Sequence, residues 1–236
     1  MSNNPDALDL YAHIEDMLQN YEASDKLYSA YFEILDELKF DSLLDVGCGS
    51  GAFLSMLSKL YPQSYLKGID LSDVMVERTL ERGIEAQAVD LCNLDGKFDV
   101  ITAVFDMVNY LDAASLSSFM QCVCERLHTG GYFICDINTE YGFDEIASGS
   151  FTAEDETQYL VIDSSYEAGV YRSDFTRFEK REDGCYHRED QQIIQYLHTP
   201  QEMISAGGLL LKSSEALSLY GEESDKLLLV LQKEGL

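Results

Sequence analysis

Three sets of residues in this 236-residue chain have types and spacing suited to chemistry. The first is Leu43-Leu44-Asp45-Val46-Gly47-Cys48-Gly49-Ser50-Gly51, a G-x-G-x-G loop with an acid two places before its first glycine. Glycines let the backbone approach a ligand closely and take a positive φ, and a helix starting there offers its first amides to an anionic group. The dinucleotide fingerprint is G-x-G-x-x-G. Here the third glycine comes one residue early and position 52 is alanine, which counts against a nicotinamide dinucleotide. The second set is Asp70 and its neighbour Leu71, where the second strand of a βαβ unit ends. A carboxylate there accepts both hydroxyls of a ribose. The third set is a run of acids at strand ends, Asp90, Asp106 and Asp136. Open α/β sheets bind ligands at the carboxyl ends of their strands, so these side chains are expected to converge on one crevice. Asp90 and Leu91 suit an adenine, with a hydrogen bond to its amino group and an apolar wall. Phe105 closes the fourth strand on the ligand side. Asp106 is placed to accept a proton or pair with a cationic amine, and Asn109 and Tyr110 to orient an acceptor.

These residues need a frame, and the hydrophobic rhythm supplies one. Leu8, Tyr11, Ile14, Met17 and Leu18 recur at helical spacing, as do Leu27, Tyr31, Ile34, Leu35 and Leu38, so residues 1–40 read as a helical cap. Strands are then expected at 42–46, 64–69, 84–89, 98–105 and 132–137, with helices at 52–60, 73–82 and 113–127 between them. Asp112 is a natural N-cap for the last of these helices, and Gly130-Gly131 reads as a break before the fifth strand. Alternating strands and helices predict a doubly wound, mostly parallel sheet. After about residue 140 the pattern becomes β-rich, with strands at 158–165, 169–180 and 185–197 and a turn at Glu182-Asp183-Gly184. This reads as a small antiparallel insert over 139–199. A helix at 200–206 ends at Gly207-Gly208. The last strands, 209–219 and 227–232, are joined too closely for a crossover helix and should be antiparallel. The main domain is thus 41–138 together with 200–236.

Composition narrows the partners. Sixteen basic and 43 acidic side chains leave a net charge of −27, while the 46% apolar content is that of a globular chain. Such acidity counts against nucleic acid and anionic membranes and tolerates neutral or cationic small molecules. No apolar run is long enough to span a bilayer and no signal-peptide pattern opens the chain, so a cytoplasmic protein is expected. The six cysteines match no zinc spacing and read as reduced thiols; Cys122 and Cys124, two apart, face different sides of a helix. No metal is expected. In the insert, period-two alternation puts Tyr186 and Arg188 on one face and His187 on the other, and the first pair is taken as substrate-facing.

At the glycine loop, Asp70 and Asp90 the chain resembles the class I S-adenosylmethionine-dependent methyltransferases. The likeness covers residues 40–138 and returns at 200–233. It implies a Rossmann-like seven-stranded sheet with an antiparallel last strand, in agreement with the tail read above. It assigns Asp45, Gly47, Cys48, Gly49 and Gly51 to the methionine part of the cofactor, Asp70 and Leu71 to its ribose, and Asp90 and Leu91 to its adenine. The product would be S-adenosylhomocysteine. A narrower likeness, to the small bacterial YqeM-like branch, lies in Phe105-Asp-Met-Val-Asn-Tyr-Leu111 and in the aromatic-rich strands of the insert. That branch often carries His-x-Gln near the end of its insert, where this chain reads Ile193-Ile194-Gln195. The resemblance implies methyl transfer to a small neutral or cationic acceptor, with a homodimer allowed. The alternatives are a methyltransferase of proteins or other macromolecules and a non-catalytic cofactor-binding partner protein.

Overall fold

The computed structural model describes residues 21–235. The helical repeat expected over Leu8–Leu18 lies outside the described residues. Helix α1 (Tyr21–Glu37) buries Leu27, Tyr31 and Leu35 completely, so this part of the expected cap belongs to the core.

The main sheet alternates as the rhythm predicts. It runs β1 (Ser42–Val46), α2 (Ala52–Leu60), β2 (Tyr65–Asp70), α3 (Asp73–Glu81), β3 (Glu85–Ala88), β4 (Phe98–Ala103), α4 (Ala113–Arg126) and β5 (Leu127–Asn138). Four strands follow, β6 (Gly149–Glu154), β7 (Gln158–Glu167), β8 (Val170–Lys180) and β9 (Tyr186–Tyr196). Helix α5 (Pro200–Gly207) then leads to β10 (Leu210–Leu217) and β11 (Lys226–Gln232). The seven-stranded sheet has the order β10-β11-β5-β4-β1-β2-β3. Only β11 runs against its neighbours, pairing antiparallel with both β5 and β10. Its two faces are packed by separate apolar clusters, one around Leu44, Phe133 and Val123 and the other around Leu27, Tyr31 and Leu54. Sheet strands buried on both faces explain the near-continuous apolar runs of β1, β4 and β11. Asp112 caps α4 as expected, accepting from Ser115 N at 2.8 Å, and the structure adds a capping box of Thr199 and Glu202 on α5.

Three expectations need correction. Gly130-Gly131 does not end a segment. It lies inside a 12-residue β5 and takes up a register shift between the pairs Phe98–Leu127 and Val100–Tyr132. A β-bulge absorbs extra residues that a break would otherwise have to explain. The insert has a fourth strand, β6, reached through a π-helical turn at Gly142–Ala147. Finally, the six cysteines are not all thiols: Cys92 and Cys122 form a disulfide, while Cys48, Cys124, Cys135 and Cys185 are free. Helical geometry correctly separated Cys122 from Cys124; what it lacked was the loop that brings Cys92 to α4.

Candidate active site

The glycine loop joins β1 to α2, and all three glycines have positive φ: 71° at Gly47, 53° at Gly49 and 76° at Gly51. Ile69 of β2 accepts from the amides of Gly47 and Cys48 at 2.8 and 3.0 Å, and Thr79 Oγ1 donates to Gly49 O at 2.9 Å. Gly47 lies so close to Met107 that an added Cβ would stand 2.6 Å from its Cγ. Gly49 differs: a Cβ there would meet nothing within 4 Å, so its backbone borders open space. Asp70 ends β2 beside it, its Oδ2 accepting from Gly49 N and its Oδ1 from Ser72 N, both at 2.9 Å. Ser72 itself caps α3, which leaves Asp70 to the loop.

Asp45 stands beneath the loop. It is 2% exposed and accepts from Thr102 Oγ1 at 2.7 Å. Burial pushes its carboxyl up to about 7; the Thr102 bond works against this and the charge of Asp70 adds to it. Asp90 accepts from Cys92 N at 2.8 Å and so starts a 3-10 turn at Leu91–Asn93. Leu91 is packed into the core at 3% exposure, whereas Leu71 is exposed.

The end of β4 holds a denser arrangement. Phe105 and Asp106 are non-glycine residues at φ 58° and 48°, a left-handed conformation that costs each about 1–2 kcal/mol. Asp136 holds them there: its Oδ1 accepts from Phe105 N and its Oδ2 from Asp106 N, both at 2.8 Å. Tyr31 Oη also donates to Asp136 Oδ1, at 2.9 Å. Lys226 enters from β11. Its Nζ is 2.6 Å from Asp106 Oδ1, 2.8 Å from Asn138 Oδ1 and 3.0 Å from Asp136 Oδ2. Burial works against the ammonium, but the Asp106 and Asp136 carboxylates outweigh it and hold Lys226 well above the usual lysine range. The other Asp106 oxygen accepts from Gln195 Nε2 of the insert at 2.5 Å. The Asp106 side chain keeps 20% of its exposure, and Asp136 keeps none.

Of the three residues expected to be catalytic, Asp106 keeps a part-exposed carboxylate at the end of β4. Asn109 is fully buried, donating to Tyr196 O at 2.7 Å and accepting from Asn138 N at 3.0 Å, so it ties the insert to β5. Tyr110 packs against Leu160, Phe175 and Ile193 beneath the insert. Tyr186 and Arg188 are not brought to the site. They sit exposed at the far end of β9, where Arg188 pairs with Asp190. Along β9 the buried positions are Ile193 and Gln195, so the odd-numbered residues face the core. Lys226 and Gln195 were missed by sequence reasoning. The one available signal was a lone lysine opening the apolar run Lys226–Gln232, since a buried lysine requires a partner.

The residues present fit the cofactor that the sequence implies. The open side of Gly49 allows close backbone approach, and the Asp70 carboxylate stands next to it.

Comparison with known proteins agrees with this geometry. Residues 43–131 match a family described as a methyltransferase domain. A malonyl-[acyl-carrier protein] O-methyltransferase of Legionella pneumophila is 31% identical over 119 residues, which is 49% of this chain and 42% of that protein. The chain thus spans about two fifths of that relative's length. Among solved structures, an S-adenosylmethionine-dependent methyltransferase from Clostridium acetobutylicum has a TM-score of 0.75 at 22% identity, covering 96% of this chain and 99% of its own. An amino pentose methyltransferase from Micromonospora echinaspora, solved with S-adenosylmethionine bound, has a TM-score of 0.65 at 21% identity over 90% and 94% of the two chains. These matches agree on a methyltransferase domain and on the fold, and none of them identifies the YqeM-like branch. With its glycine loop, its strand order and its single reversed strand, the chain shares the fold of these S-adenosylmethionine-dependent methyltransferases, and its residues 43–131 match the methyltransferase-domain family.

Proposed function

We propose that the protein methylates a small acceptor that is neutral or cationic where it enters the crevice. The observation that carries this reading is the meeting of the open Gly49 backbone, Asp70 and Asp106 at one edge of the sheet, joined through Met107 lying against Gly47. The backbone of Gly47, Cys48, Gly49 and Gly51 would hold the methionine part of S-adenosylmethionine, and Asp70 and Leu71 its ribose. Asp90 and Leu91 would flank its adenine, and Phe105 would close the site at the end of β4. When bound, the cofactor supplies a methyl group on a good leaving group. The protein's task is then mainly alignment, which contributes up to ~7–11 kcal/mol. Asp106 faces the acceptor side as a carboxylate fixed at both oxygens by Lys226 and Gln195. It can receive a donor N–H or O–H, or balance a cationic amine.

The acidity of the surroundings favours an amine over an acid. Residues 139–199 alone carry 14 acids and five bases, and the buried cation at the site, Lys226, is already shared by two carboxylates. The structurally similar amino pentose methyltransferase supports the same class of acceptor. A second reading comes from the sequence relative: a carboxyl group presented on an acyl-carrier protein. Calorimetric titration with S-adenosylmethionine and S-adenosylhomocysteine, with NAD as the control, tests the cofactor. Asp70→Ala should weaken binding by ~1–3 kcal/mol, and unchanged affinity removes the ribose assignment. A panel of small amines set against malonyl thioesters then separates the two readings of the acceptor.

A further inference from the structure

The disulfide stands at an informative place. Cys92 lies in the 3-10 turn that follows β3, and its amide donates to Asp90 Oδ1 at 2.8 Å. Cys122 lies on α4, with a Cα 5.1 Å from that of Cys92, within the span a disulfide bridges without moving the backbone. Four residues further along α4, on the same helix face, Arg126 Nη2 donates to Cys92 O at 3.1 Å. One helix face therefore grips the turn twice, once covalently and once by a charged hydrogen bond. Both cysteines are half-buried, not sealed in the core, so a small thiol or disulfide can reach them. Cys48 and Cys135 are buried and free, and Cys124 and Cys185 are free without a partner cysteine.

We infer that Cys92 and Cys122 form a thiol–disulfide modification site that tunes cofactor affinity by tightening or releasing the turn at Asp90 and Leu91. This rests on the adenine-side role proposed above for those two residues. Oxidised glutathione, a small disulfide, serves as oxidant. One thiolate of the pair attacks a glutathione sulfur, breaking that S–S bond and releasing one glutathione thiolate. The second thiolate attacks the protein sulfur of the mixed disulfide and releases the other. Two protein thiols thus lose two protons and two electrons, and one oxidised glutathione becomes two reduced ones. Leu91 and Leu94 pack the turn onto the core independently of the sulfurs, so the bond is expected to sharpen the position of Asp90 and not to create the fold there.

The test is to equilibrate the purified protein in glutathione buffers with reduced-to-oxidised ratios from about 1:1 to about 100:1. Free thiols are then trapped with a maleimide, counted by mass, and S-adenosylhomocysteine affinity is measured in each state. The expected result is loss of two thiols at the oxidised end and affinity weaker by threefold to tenfold at the reduced end. Cys92→Ser should match the reduced protein and no longer respond, while Cys124→Ser should respond as wild type does. Three results overturn the proposal: a bond that never forms, a bond that persists in the most reducing buffer, or equal affinity in both states. Absence of binding in both states overturns the cofactor reading as well, which distinguishes the two failures.

Discussion

Two turns at the carboxyl edge of the same sheet solve one problem in opposite ways. After β1 the chain must bend left-handed, and it uses Gly47, Gly49 and Gly51, for which such a backbone is nearly free. After β4 it bends left-handed again, but with Phe105 and Asp106. There the conformation is imposed from outside. Asp136 grips both amides, and Tyr31 and Lys226 grip Asp136. The first turn needs no help to take a positive φ, although Ile69, Asp70 and Thr79 steady it; the second takes one only under contacts reaching 31 and 120 positions along the chain. Strain at a non-glycine position marks a site where geometry has been favoured over stability. Here it sets the Asp106 carboxylate between Lys226 and Gln195.

The contrast can be broken at its strongest point first. Asp136→Ala should cost ~3–5 kcal/mol, because it frees two strained amides and removes one carboxylate partner from buried Lys226. Urea unfolding reads this directly, and a loss below 1 kcal/mol would mean the β4 turn holds itself.

A pH dependence should follow from Asp45. Its carboxyl is raised in the folded state to about 7, so the folded protein binds the proton more tightly than the unfolded chain does. This stabilisation is complete below pH ~4 and is lost as pH rises towards 7, an effect of at most ~4 kcal/mol. Unfolding of Asp45→Asn at pH 5 and pH 8 should show the variant gaining on wild type at the higher pH; a parallel pair of curves would contradict it.

The third turn of this edge, at Leu91–Asn93, uses a covalent tie. The disulfide closes a loop with sequence separation 30, and chain entropy assigns it ~3–4 kcal/mol. Cys92→Ser should therefore lower the thermal midpoint without reductant and leave it unchanged in excess dithiothreitol. The smallest effect belongs to the glycine turn. Gly47→Ala adds a methyl against Met107 at a positive φ, with an expected cost of ~1–3 kcal/mol. Met107→Ala in the same background should recover part of that loss. No recovery would leave the backbone strain as the whole cause.

Much of the fold was legible because its signals are local. The alternation of strands and helices, the caps at Ser72 and Asp112, and the short β10–β11 link all depend on residues within a few places of one another. The bulge at Gly130-Gly131 was misread because a glycine pair looks the same whether it ends a strand or bends one. Strand β6, with five of its six residues exposed, carries too weak an apolar alternation to be seen.

By itself, then, the sequence determined the glycine loop, the placing of Asp70 at the end of β2 and the order of the βαβ units, since each follows from backbone preference and nearby spacing. The tertiary structure decided the rest of the site. Period-two alternation states that Tyr186 and Arg188 share a face, but a phase of one residue decides which face, and packing of Ile193 and Gln195 against the core chose the other. Lys226 meets Asp106 only because β11 inserts beside β5, and Cys92 meets Cys122 only because the β3–β4 connection passes α4. A charge or a thiol looks alike in any sequence until folding supplies the partner that gives it a role.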